Sequence, residues 1–193
     1  MSKAVMLSIR PKWVEKIAND EKTIEVRKTR PKLDTPFKCY IYCTRDKHLA
    51  FMQNQTGTNL IACMDVDAAI PVGGAIGNGR VVGEFTCDRI DRLAPANDPY
   101  GIYDIDDDYV FQTCLENGAL WDYGHGTPLY GWHISDLRIY DTPKELSEFK
   151  TLCRVDADCC ACPYYNYTKM DCDGRVIGRP PQSWCYVDDV QAK

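Results

Sequence analysis

The sequence has no apolar run long enough to cross a membrane. A helical span needs about 18 consecutive apolar residues, and no segment of the 193 residues approaches that. The opening stretch MSKAVMLSIRPKW is cut short by Arg10, Pro11 and Lys12, so it lacks the apolar core of a secretory signal. There is no internal repeat and no low-complexity tract, which argues against a repeat array or a biased, disordered chain. Histidine is scarce: of the three, His48 and His125 fall in loop-like stretches with no partner pattern. An even cysteine count is missing too. Eleven cysteines exclude a fully paired disulfide framework. A chain of this length also buries enough core to stand without such staples. These absences point to a cytoplasmic protein in a reducing compartment, where clustered cysteines are thiols or metal ligands.

What is present is an ordinary globular composition, 45% hydrophobic and 26% charged, in a length that suits one domain. The formal net charge of −5 hides an asymmetry. Residues 1–48 hold twelve Lys and Arg against six Asp and Glu, a balance of +6. Residues 49–193 hold eleven against twenty-two, a balance of −11. The basic quarter is suited to an anion, the remainder is not.

Residues 4–9 (AVMLSI) read as a short buried strand. Pro11 suits the first turn of a helix. Trp13, Val14 and Ile17 then form one apolar stripe through about Asn19, which marks Trp13 as core. TIEVRK alternates cleanly, with Ile24 and Val26 on one face and Thr23, Glu25 and Arg27 on the other. FKCYIYCT (37–44) is β-rich, with Cys39, Ile41 and Cys43 on one face. Residues 45–78 lose the pattern and read as an excursion. GRVVGEFTCDRI (79–90) resumes as a strand. Residues 94–129 form a second excursion with a short helix around 109–117. YGWHISDLRIY (130–140) is the next strand, KELSEF forms one or two helical turns, and PPQSWCYV (180–187) is the last strand. Short strands, little helix and many loops predict a mainly β, α+β fold: a small barrel crossed by one early helix. The regular alternation of a doubly wound sheet is absent.

The chemistry concentrates in Asp20-Glu21-Lys22-Thr23-Ile24-Glu25-Val26-Arg27. Lys22 is a point-charge donor for phosphate. Arg27 offers a planar fork for phosphate or a base edge. Glu25, two residues from Arg27 on the same face, can orient it or accept from a base amino group. Arg10, Lys12, Lys28 and Arg30 add positive charge nearby.

This segment resembles the G-x-K-x-x-E-x-R motif of the ASCH domain, a member of the PUA-like superfamily. The order of helix, motif and strand fits, as do GRVVGEF, YGWHISDL and PPQSWCYV. Asp20 stands where the family has glycine. Aspartate tolerates a positive φ better than most residues, so the turn survives the exchange. The resemblance implies a PUA-like β-barrel of five to six strands with an N-terminal helix and inserted loops. It would be a single domain over 1–193, with insertions at about 45–78 and 94–129 and a Cys-rich insertion at about 153–179. It implies binding of RNA or a nucleotide in a basic cleft beside the helix, by Lys22, Glu25, Arg27, Arg10, Lys12, Lys28 and Arg30, as a monomer with no membrane partner. A minority of ASCH proteins are hydrolases of modified nucleosides or RNA, and short versions often look phage-borne.

In the hydrolase-type members a threonine nucleophile, activated by the motif lysine, stands two residues before the arginine. Here that residue is Glu25, so the enzyme question stays open, with Lys22 as the catalytic residue if there is a reaction. Thr23 and His133 are the other side chains that could take part. A third reading is a phage accessory protein that binds a host protein through its acidic remainder.

Cys159 and Cys162 form a Cys-x-x-Cys, the spacing that presents two thiolates to one zinc. Cys172 follows ten residues later, and Cys153, Cys160 or Cys185 could complete the set. One structural zinc on Cys159, Cys162, Cys172 and Cys153 is one expectation; a set of free thiols is the other, since no second Cys-x-x-Cys is present. Gly73–Gly79 is a turn rather than a phosphate loop, because no Lys-Ser/Thr follows. Asp104, Asp106 and Asp108 have calcium-loop spacing, but Tyr109 and Leu115 stand where glycine and glutamate are needed.

Overall fold

The structure is a computed structural model that describes residues 3–53, 59–63, 75–96, 102–152, 165–166, 168, 171–172 and 174–189. In chain order the elements are β1 (Lys3–Ile9), α1 (Pro11–Ala18), β2 (Ile24–Arg27), β3 (Phe37–Cys43), β4 (Leu49–Gln53), β5 (Asn59–Cys63), β6 (Ala75–Ile76), β7 (Val81–Leu93), α2 (Asp107–Thr113), α3 (Asn117–Gly124), β8 (Leu129–Lys144), a 3₁₀ turn (Leu146–Glu148), β9 (Lys150–Thr151), β10 (Tyr165–Asn166), β11 (Asp171–Cys172), β12 (Arg175–Val176) and β13 (Trp184–Asp188).

Eight strands form one mixed sheet in the order β12-β9-β13-β1-β3-β7-β8-β2. β1 runs parallel to β3 and antiparallel to β13, while β7 and β8 form a long antiparallel pair with several register shifts. The mainly β, α+β class is as expected, but the barrel-type sheet is not closed: among the described residues no backbone ladder joins its end strands. The gap between β2 and β13 is spanned by side chains instead. Trp184 Nε1 donates to Thr29 Oγ1 at 2.9 Å, and the Lys32 amide donates to the Tyr186 hydroxyl at 2.7 Å.

β1 is buried on both faces, which explains its run of apolar residues without alternation. Val5, Leu7 and Ile9 join Val14 and Ile17 of α1, Ile41, Phe85 and Trp132 in the main core. Ala4 and Met6 face the other way, into a second core with Tyr40, Tyr140 and Phe149. Cys39 and Cys43 are fully buried and serve as small apolar residues, as their alternation with Ile41 suggested.

Two stretches expected as loops carry structure. The 45–78 excursion contributes β4, β5 and β6, a three-stranded sheet in the order β5-β4-β6. The single helix expected near 109–117 is two helices, α2 and α3. Asp106 caps α2 by accepting from the Tyr109 amide at 2.8 Å, and Asp107 and Asp108 occupy its first turn. The acidic run is thus a helix start that suits the helix dipole. β10 and β11 form a separate two-stranded ladder.

Candidate nucleic-acid interface

Lys22, Glu25 and Arg27 reach one place because α1 ends abruptly just before β2. Asp20 adopts a left-handed φ of 59°, a conformation that aspartate tolerates better than most residues. The amides of Glu21 and Lys22 then both return to the Lys16 carbonyl, at 2.8 and 3.0 Å. This turn delivers the chain into β2, which pairs antiparallel with β8.

All four residues of β2 are buried. Glu25 lies opposite Trp132 in the ladder, so it projects towards the main core side. Ile24 and Val26 project the other way, where Val26 packs with Leu93, Tyr103, Leu120 and Leu129. α2 and α3 cover that second face. Two glycines make the close cover possible. A Cβ on Gly131 would lie 1.9 Å from the Tyr109 hydroxyl, and one on Gly124 would lie 1.8 Å from the Tyr103 hydroxyl.

Lys22 and Arg27 both bind the Glu25 carboxylate. Lys22 Nζ is 3.5 Å from Oε2, and Arg27 Nη2 is 3.0 Å from Oε1. Only 1%, 8% and 8% of the three side chains is exposed, so the array is far drier than a surface ion pair. Each cation has further partners. Lys22 Nζ donates to the Thr113 carbonyl at 2.5 Å, the orphan acceptor at the C-terminus of α2. Arg27 Nη2 donates to the Ser8 carbonyl at 2.9 Å and so ties β2 to β1 across the open sheet. The buried Arg27 Nε has no hydrogen-bond partner among the described residues. Desolvation holds the Lys22 ammonium below its ordinary range, although the neighbouring Glu25 carboxylate opposes the shift.

The array forms the floor of a cleft of about 460 Å³. Arg10, Lys12 and Trp13 line one side, and Leu115, Ala119 and Tyr123 the other, with Ser8, Thr44, Gln182 and Ser183 closing the end. Lys12 lies 4.3 Å from the centre of the Trp13 ring, and Lys22 5.3 Å from it. The expectation for Trp13 was half right: it packs against the core, and it also lines the cleft. Lys28 is exposed and reaches the Tyr123 ring at 5.0 Å. Arg30 is exposed and outside the lining, and the half-buried Thr23 and His133 are outside it too. His133 instead binds Asp91 at 2.6 Å through Nε2, beside Arg89. Tyr123 has no counterpart in the sequence expectations. Its signal was weak, since it is one of several aromatic residues in the 94–129 excursion and lies past the expected helix.

Cys153, Cys159, Cys160 and Cys162 lie outside the described residues, as does the side chain of Cys172. No group of three or more His, Cys, Asp or Glu suited to a metal is found among the described residues. Nor is any helix among them long and apolar enough to cross a membrane.

No protein-family model and no curated protein matches the chain. Among solved structures, the chain is similar to ASCH from Zymomonas mobilis, at 17% identity and a TM-score of 0.53, over 96% of this chain and 88% of that one. A tyrosine-to-phenylalanine mutant of the same protein matches at 17% identity and a TM-score of 0.53, over 96% of this chain and 91% of that one. The motif-based resemblance and the backbone therefore agree: this chain has the mixed, strand-rich fold of an ASCH protein.

Proposed function

We propose that the protein binds a nucleotide or a single-stranded RNA segment in the cleft floored by Lys22, Glu25 and Arg27. The observation that carries this reading is a buried, net cationic array set between two aromatic side chains. Buried ion pairs are weak contributors to stability, because desolvation cancels much of their attraction. A perturbed charge cluster in a concave site is a reason to look for a ligand. The cleft volume of about 460 Å³ falls in the range of small-ligand sites. A base that entered would stack on Trp13 or Tyr123, contacts worth about 1–3 kcal/mol per base. Arg27 Nε is a buried donor with no hydrogen-bond partner among the described residues.

The roles of the cations divide by burial. Lys22 and Arg27 shape the floor and hold the sheet edges. The exposed Arg10 and Lys12 are the groups that can meet a phosphate and release its counterions. Arg10→Ala and Lys12→Ala should each weaken RNA binding and lower the slope of log K against log salt by about 1. Unchanged slopes in both variants would remove the rim from the site.

A hydrolase in the same cleft is the second reading, favoured by the Lys22 amine being held below its ordinary range. A lysine nearer neutrality is a better general base. Turnover of RNA or of an acetylated nucleoside, abolished in Lys22→Met, would establish it. We also propose, from spacing alone, one structural zinc on the 153–172 cysteines. Elemental analysis of protein purified without added metal should then give about one equivalent. No zinc, with every thiol titratable, removes that proposal.

A further inference from the structure

The cleft does not end at its closed end. A second hollow of about 550 Å³ adjoins it, and Ser8, Thr44 and Gln182 line both. The partition between them is the segment Pro181–Ser183. It is pinned to β1 by two hydrogen bonds: Ser8 Oγ to the Pro181 carbonyl at 2.6 Å and the Ser8 amide to the Ser183 carbonyl at 2.9 Å. Gln182, at the crest of the partition, is exposed.

The second hollow has a cation of its own. Arg45 lines it and is exposed. The only acid among the described residues of its lining, Glu145, is paired with Arg80 at 2.8 Å. Arg45 lies across Gly79, whose φ is +80°, and a Cβ there would come within 3.0 Å of Arg45 Nε. The glycine leaves room for the guanidinium beside the hollow. The two hollows are similar in volume, joined over polar side chains, and each carries an exposed cation.

We propose that the ligand is a single-stranded oligonucleotide of at least two nucleotides, with one base in the aromatic cleft and its neighbour in the second hollow, the linking phosphate reaching Arg45. This rests on the nucleotide-binding reading above and assigns the second hollow to the neighbouring nucleotide of the chain. The second contact becomes intramolecular once the first is made, so lengthening the ligand adds affinity without changing the first site. Arg45 is the residue that separates the two hollows experimentally, because it lines the second alone.

Titration calorimetry at low salt would compare the four ribonucleoside 5′-monophosphates with the four homotrinucleotides. The best trinucleotide should bind about tenfold tighter than its own monophosphate, or better. Arg45→Ala and Arg45→Glu should remove that gain and leave monophosphate affinity unchanged, while Arg45→Lys restores most of it. Circular dichroism checks that each variant folds, which an exposed side chain should permit. Monophosphate binding with no gain on lengthening overturns the two-hollow path and leaves the nucleotide reading intact. A gain that survives both Arg45 substitutions overturns it too. If neither ligand binds, the nucleotide reading itself falls, and this inference with it.

Discussion

Glu25 is the residue on which the site turns. Its carboxylate neutralises two buried cations, and among the described residues no other acidic side chain pairs with Lys22 or Arg27. Glu25→Gln would leave both cations buried without a counter-charge, and such a loss costs about 3–5 kcal/mol. Lys22→Met removes one cation and keeps the Glu25–Arg27 pair, with an apolar chain of similar length in the same space. Urea denaturation should find Lys22→Met the milder change by about 2 kcal/mol or more. Equal costs would mean that the array is not organised around the carboxylate. A pH dependence follows from the same burial. The folded-state pKa of Lys22 lies below its unfolded value of 10.5. Between those two values the unfolded chain holds a proton that the folded chain has released, so stability rises with pH across that window. Wild type should therefore gain stability relative to Lys22→Met as pH rises towards 10.5. A difference that stays flat from neutral pH to that limit would contradict the burial argument.

At the scale of elements, β2 is held from both sides, and its position depends on helices that the sequence only half disclosed. The alternation of TIEVRK correctly paired Glu25 with Arg27 and Ile24 with Val26. It did not reveal that the polar face is buried as well, because that depends on the sheet curling until Arg27 reaches Ser8. The α2 start was readable in Asp106-Asp107-Asp108 as a cap and an acidic first turn, though calcium-loop spacing competes for the same residues. β4 and β5 were hidden because each is five residues long and neither has a clear period. The dependence of the site on α2 can be tested at Gly131. Gly131→Ala should push Tyr109 and α2 away from β8 and loosen the Thr113 carbonyl from Lys22, at about 1–3 kcal/mol. Tyr109→Phe in the same background removes the clashing oxygen and should recover part of the loss in a thermal melt. No loss in the single variant would show that α2 does not pack as closely as described.

Across the whole molecule, the net charge of −5 is a poor guide to partners. The basic quarter folds into β1, α1, β2 and β3, and among the described residues it supplies every charged side chain that lines the cleft. The acidic remainder supplies the two helices that cover β2 and the Tyr123 wall. The order of the main strands and the first helix was legible because amphipathic periods and the motif mark them. The openness of the sheet was not, since closure depends on long-range geometry and no local pattern records it. Here side chains such as Trp184 and Tyr186 span the gap where a ladder would close a barrel.

The most direct test of the account is equilibrium binding of an end-labelled single-stranded RNA at about 50 mM salt, where phosphate contacts are strongest. Wild type, Trp13→Leu and Tyr123→Leu would be compared after each is shown to fold. Wild type should bind saturably and one-to-one, and at least one of the two variants should lose about tenfold in affinity. Absence of binding by wild type, or equal affinity in all three proteins, would contradict the account.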